Sequence, residues 1–330
     1  MSVADTTLVG SDKNSEPTSA APSKRRRGNW SVFWLLLPAA ILILGIFSYP
    51  LLVAVWRSFA YPQIGIQNYA WFFGNEGNLA ILGRTLLIAL ATTLICLVLS
   101  FPYAYLMTIS STKVRNLLMI LVMVPFWTSL MIRTFAWIIL LQDNGIVNQL
   151  IRALGLEPVQ LMRNPTGVLI GMVQVLLPFM VLPLYNAMAS IDMRLLQAGQ
   201  SLGAKPSVAF FKIFVPLAVP GVISGSLLVF IQALGFYITP ALLGSPTEML
   251  ISQYIYAQVS GQLQWGRGSV LGVVLLVSVL IILLLMVLVG RLAKGVSAPS
   301  VVGAGVEAAD TAQAQSANAG KAPGAGGGAA

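Results

Sequence analysis

The chain has 330 residues, of which 57% are hydrophobic and only 9% charged, and its mean hydropathy is +0.84. Soluble domains carry about a quarter charged residues, so this chain has too little charge for a water-soluble globule, and too much Leu, Ile, Val and Phe for an intrinsically disordered one. With no His, a single Cys (Cys96) and a net charge of +9, a disulfide framework, Cys/His metal sites and His-based acid–base chemistry are excluded; the basic balance reads as loops on one side of a bilayer, not as a nucleic-acid surface.

Taken in chain order, residues 1–29 are polar, with the basic cluster Lys24 to Arg27, and cannot bury enough apolar surface to order. A disordered tail is expected there. Six apolar stretches follow that are long enough to cross a bilayer: Val32 to Val55, Thr85 to Thr112, Asn116 to Gln142, Asn164 to Ile191, Ile213 to Thr247, and Gly268 to Gly290. The first has a basic segment before it, as a signal peptide does, but it is longer than a signal h-region and holds Pro38 and Pro50; a retained helix is expected. The fifth exceeds one span and should end near Ile238, continuing into a loop with Pro240 and Pro246. Residues 30–291 thus form one all-α, six-helix membrane domain. Residues 292–330, rich in Ala and Gly, form a second disordered tail.

With the N-terminus inside, the inner segments hold thirteen Lys and Arg and the outer segments five, Arg57, Arg84, Arg152, Arg163 and Arg267. Both termini are therefore expected on the cytoplasmic side. No nucleotide-binding loop is present: before Gly320-Lys321, Gln315 stands where the first Gly of such a loop belongs, and Ala322 follows where Ser or Thr belongs.

Gly167/Gly171, Gly221/Gly225 and Gly268/Gly272 place pairs of small residues on one helix face, which allows close helix approach. Pro178 and Pro183 should kink the fourth span. Arg133 is the one ionisable group well inside an apolar run. It either snorkels to the outer interface or serves a transport pathway. Gln174, Gln232 and Tyr237 are polar groups in spans four and five that need either helix-to-helix hydrogen bonds or a wet cavity. Glu248 and Asp143 are placed to attract a cation at the outer mouth. No Asp or Glu lies inside these apolar stretches, which disfavours the alternative of an ion-coupled secondary transporter.

The segment 190–212, between spans four and five, has a pattern of its own. Asp192 can cap a short helix over residues 193–202, Gly203 suits the left-handed residue that ends it, and Pro206 can start a second short helix through Ala209, Phe210 and Phe211 toward Pro216. This is a helix–Gly–helix elbow on the cytoplasmic face, too short to span and too ordered for a linker.

Gln197-Ala198-Gly199, then Leu202-Gly203-Ala204, Phe211, Pro216-Leu217 and Pro220-Gly221 resemble the EAA loop of binding-protein-dependent ABC importer permeases. Gln197 replaces the family Glu, and Gly199 the second Ala. Asp143-Asn144-Gly145 with Leu154-Gly155-Leu156, Phe126-Trp127-Thr128 through Trp137, and Gly235-Phe236-Tyr237-Ile238-Thr239-Pro240 extend the similarity over residues 30–290, toward the spermidine/putrescine-type branch. The resemblance implies a type I importer fold in the bacterial inner membrane and no catalysis by this chain. It implies cytoplasmic ATPase subunits gripping Asp192, Gln197, Ala198, Gly199, Gly203, Ala204, Lys205 and Pro206. It also implies a second permease, an external solute-binding protein, and a pathway for a polyamine or related compound near Arg133, Gln174, Gln232 and Tyr237. No cofactor or metal is implied.

Overall fold

The computed structural model describes residues 30–294. The tails expected at 1–29 and 292–330 lie outside the described residues, apart from 292–294, which close the last helix. Every regular element among the described residues is helical. The chain divides between Leu52 and Val53. Residues 30–52 belong to α1 (Trp30–Ala60), which runs through Pro38 and Pro50 and exposes its side chains from Ile41 to Leu52.

In the second unit the chain continues with α2 (Gln67–Phe73), α3 (Glu76–Ile109), α4 (Thr112–Met123), α5 (Leu130–Leu141), α6 (Ile146–Ala153), α7 (Pro165–Ala189), α8 (Arg194–Ser201), α9 (Pro206–Ala209), α10 (Val215–Leu234), α11 (Ile238–Leu243), α12 (Ile251–Tyr256) and α13 (Trp265–Lys294). Six helical stretches among the described residues are long and apolar enough to cross a membrane: Ile41–Ala60, Glu76–Ile109, Leu130–Ala153, Pro165–Ala189, Pro206–Leu234 and Trp265–Leu285.

Several boundaries differ from those read in the sequence, each for a local reason. Helix α3 starts at Glu76, well before the apolar run. Asn75 Oδ1 accepts the Gly77 N–H at 2.8 Å and Glu76 complements the positive helix end, so a polar first turn is stable. The third stretch is not one helix. Pro125 lacks an amide to donate, and the chain tightens into a 3₁₀ turn over Val124–Trp127 before α5 begins at Leu130. Thr128 and Ser129 are extended and exposed at this break. The fifth helix ends at Leu234. Beyond it, Pro240 lies buried in α11 and Pro246 starts a 3₁₀ turn. Helix α7 runs through Pro178 and Pro183 without interruption.

Helix α7 is the most deeply buried of the six, and it packs chiefly on α3 and α10. The α3 face toward them is a seam of small or slim residues, Ala89, Thr92, Cys96, Ser100 and Ala104, spaced by three or four. On α10 the glycines decide the distance. A Cβ at Gly225 would sit 2.8 Å from Met180 Sδ, and one at Gly221 would collide with Ala187 and lie 3.2 Å from the Leu184 backbone. By contrast, Gly272 on α13 faces open space. Helix α13 rests on α2 and α12 through Phe72, Ile251, Val270 and Leu271. Asn68 ties α2 to the end of α1 by donating to Ser58 O (3.1 Å) and Tyr61 O (2.8 Å).

The contrast between the glycines is testable. Gly221→Leu should destabilise the purified chain by about 1–3 kcal/mol through overpacking, seen as a lower thermal-unfolding midpoint in detergent, while Gly272→Ala should leave the midpoint unchanged or slightly raised.

Candidate functional site

The elbow is a built structure. Asp192 Oδ1 accepts the Arg194 N–H at 2.9 Å and its carbonyl accepts from Leu195 at 3.0 Å, which caps and starts α8. At the other end Leu202 N–H bonds Ala198 O (3.1 Å) and Ala204 N–H bonds Gly199 O (3.1 Å) around Gly203, whose φ is +90°. That angle favours glycine, since a Cβ there crowds the following carbonyl. Gly199 has its own reason: a Cβ would stand 2.6 Å from Ile213 Cδ1. The departure from Ala at this position therefore lets α8 lie directly on the next helix.

One expectation needs correction. The second elbow helix does not stop near Pro216. It begins with Pro206, passes through a π turn at Phe210–Phe214 and joins α10, so Pro206–Leu234 is a single helix. The wider π turn has room for Pro216, whose ring cannot fit a tight interior turn and whose nitrogen has no proton to donate. The turn also aims Phe210 and Phe214 at α3. Tyr105 meets both rings edge-on at 5.1 Å, and Phe101 meets Phe210 at 6.4 Å. With Leu196, Met188, Leu184 and Ala218 these rings form a core that anchors the elbow to α3, α7 and α10. The sequence reading missed this clamp; the four-residue spacing of Phe210 and Phe214 was its only local signal.

On the outer side of the elbow Gln197, Ala198, Lys205 and Pro206 are exposed, and Leu202 is 90% exposed. Gly199 and Ala204 are half-buried beneath them. All eight elbow residues named in the sequence therefore share one structured corner. The cations Arg194, Lys205 and Lys212 lie on the elbow, and Lys113 and Arg115 in the first turn of α4.

The four pathway candidates do not form one cluster of contacts. Arg133 is half-buried on α5 and its Nε has no hydrogen-bond partner among the described residues. Gln174 Oε1 accepts from Trp137 Nε1 at 3.5 Å, a long bond that ties α7 to α5. Gln232 is half-buried on α10, and the Tyr237 ring lies 5.2 Å from that of Tyr256. Glu248 lines a shallow open pocket with Arg84, Asn164 and Pro240. Asp143 is exposed in the α5–α6 turn, where its carbonyl accepts from Arg152.

A helical membrane bundle with an ordered elbow between its fourth and fifth crossings is the architecture of an importer permease. The chain belongs to the family described as binding-protein-dependent transport system inner membrane component, whose model matches residues 104–298. It is similar to the spermidine/putrescine transport system permease protein PotB of Haemophilus influenzae, 34% identical over 251 residues, covering 76% of this chain and 86% of that protein. PotB of Escherichia coli is 34% identical over 250 residues, 75% of this chain and 89% of that one. The inner membrane ABC transporter permease protein YdcU of Escherichia coli is 31% identical over 272 residues, 74% and 86% of the two chains. A chain in the crystal structure of a bacterial alginate ABC transporter, solved with an alginate pentasaccharide-bound periplasmic protein, shares the fold with a TM-score of 0.64 at 21% identity, over 78% of this chain and 92% of that one.

At the elbow, Gly203→Val forces a β-branched residue into the left-handed region at a cost of about 1–2 kcal/mol or more. It should abolish solute uptake in reconstituted liposomes while the chain still inserts and purifies. Retained uptake would show that the elbow geometry is dispensable.

Proposed function

We propose that this chain is the permease subunit of an ATP-driven importer for a polyamine or a related small organic compound. The observation that carries the reading is the 34% identity to spermidine/putrescine permeases along three quarters of the chain. The elbow lies within the matched family region. In this reading both termini are cytoplasmic, in keeping with thirteen basic residues on that side against five. Two cytoplasmic ATPase subunits, a second permease and an external solute-binding protein complete the assembly.

The mechanism follows from the shape of the lever. The ATPase carries out hydrolysis and this chain supplies motion. Leu202, Ala198 and Gln197 enter a cleft in the ATPase, and closure of the ATPase pair on nucleotide moves the elbow. Because Pro206–Leu234 is one helix, a displacement at Lys205 is carried along the whole fifth crossing. The Tyr105–Phe210–Phe214 clamp passes it to α3 and α7. This is a rigid-body switch between two packed states, driven by the difference in the ATPase's nucleotide affinity between them. Gln197 can donate and accept hydrogen bonds where the family Glu carries a charge, so the grip here rests on apolar contact and neutral hydrogen bonds. Arg133, Gln174, Gln232 and Tyr237 face the pathway in the outward-open state.

Reconstitution with the ATPase and second permease tests the reading. Uptake of radiolabelled spermidine or putrescine should require ATP and the solute-binding protein, and should persist with an ionophore. Uptake without the ATPase that collapses with the ionophore would instead identify an ion-coupled carrier. Leu202→Glu should lower ATPase co-purification by about tenfold, the scale of one interface anchor. Arg133→Ala should change the uptake rate or KM without affecting that association.

A further inference from the structure

The charge on the elbow is almost all of one sign. Between residues 190 and 212 stand Arg194, Lys205 and Lys212, all exposed, against a single acid, Asp192. The Asp192 carboxylate is engaged in the cap of α8, where its Oδ1 accepts the Arg194 N–H. The other acids among the described residues, Glu76, Asp143, Glu157 and Glu248, lie at the opposite ends of the crossings.

The cations stand in particular places. On a helical wheel of about 100° per residue, the buried Leu196 and half-buried Gly199 mark the inward side of α8. Arg194, Ala198 and Ser201 fall opposite, with Gln197 beside them, and all four are exposed. Leu202 follows, and then Lys205, extended just before Pro206. The outer face is thus a cation, a small or neutral centre with one Leu, and a second cation. Arg194 lies in the first turn of α8, where the positive helix end disfavours a cation, so its place is not owed to the helix. The cations at the start of α4 differ. There the exposed Val114 and Leu117 stand beside Lys113 and Arg115, the mixture of a surface that lies on lipid and snorkels its charges to the headgroups. The outermost stripe of α8 has no large apolar side chain and suits a water-facing or protein-facing surface.

Charges at the rim of an interface govern encounter and partner choice more than affinity. A cleft with a cation placed for an acidic loop would meet Arg194 and Lys205 with repulsion. A cleft with acids at its rim attracts both. We propose that the ATPase cleft receiving this elbow carries acidic side chains at its rim, opposite Arg194 and Lys205; this rests on the importer reading above. The centre of the contact, at Gln197, Ala198 and Leu202, stays neutral and apolar. The two flanking cations steer the ATPase into place and select it by a charge opposite to the one that a Glu at position 197 would call for.

The complete complex, in phosphatidylcholine nanodiscs and held through the second permease, tests this by the ATPase it retains at rising NaCl. Retention by the unaltered complex should fall about tenfold between low and high salt, because exposed pairs are screened beyond a Debye length of about 10 Å at 0.1 M. Arg194→Gln with Lys205→Gln should lower retention at low salt and remove the salt dependence. Arg194→Glu with Lys205→Glu should lower it further and make it rise with salt. An acid in the first turn of α8 favours the helix, so melting of the elbow does not account for that loss. Lys113→Gln on α4 should behave as the unaltered chain. Equal retention by the Glu pair and the unaltered chain, or retention indifferent to salt, overturns the acidic rim and leaves the importer reading standing. So does a loss that appears only when phosphatidylglycerol is added, which assigns the two cations to lipid. A complex that retains no ATPase at low salt with nucleotide present overturns the importer reading, and the rim with it.

Discussion

In a bilayer the lipid is as apolar as leucine, so the hydrophobic effect does not press one helix against another. Close contact has to do it. In this protein that contact is the approach of α7 to α3 and α10, set by Gly221 and Gly225 on one side and by the slim α3 seam on the other. The backbones come near enough for dispersion to hold them, and Cys96 Sγ on α3 lies 3.7 Å from Val173 O on α7. The elbow and α11 are joined to this trio. The elbow leaves the end of α7 and enters α10, and α11 packs against α5 and α7.

The same economy explains why the elbow is ordered. A surface loop in water would be free to bend. Here Gly199 lets α8 sit on Ile213, Asp192 caps the first turn, and two phenylalanines one turn apart are pinned by Tyr105. The elbow is thereby part of the packed end of the bundle, while its outer edge, with Leu202 and Gln197, stays open to a partner. The elbow thus has an anchored inner face and an exposed outer one.

The third crossing shows the opposite treatment. Pro125 breaks it, and the two helical halves do not bury their outer faces within the chain. Lipid is as apolar as these side chains and can cover them.

Much of this was legible in the residues. Runs of apolar side chains require helices because lipid offers backbone amides no other partner. That constraint is local, and so the six crossings and the Asp192–Gly203–Pro206 elbow follow from composition and spacing. The join between α9 and α10 was not legible, because whether Pro216 ends a helix or rides on a π turn depends on where Tyr105, far away in sequence, places its ring. Nor was the break at Val124–Trp127 resolved into two helices, since an apolar run reads the same whether or not it is interrupted. The placement of Asn148 was also hidden: a polar residue in a short helix reads as exposed, but its bonds with Val159 turn it inward beside the half-buried Val147 and Ile151. The sequence by itself determined what each segment must be in lipid, and the tertiary structure alone decided which surfaces meet, because those contacts join residues that no local pattern connects.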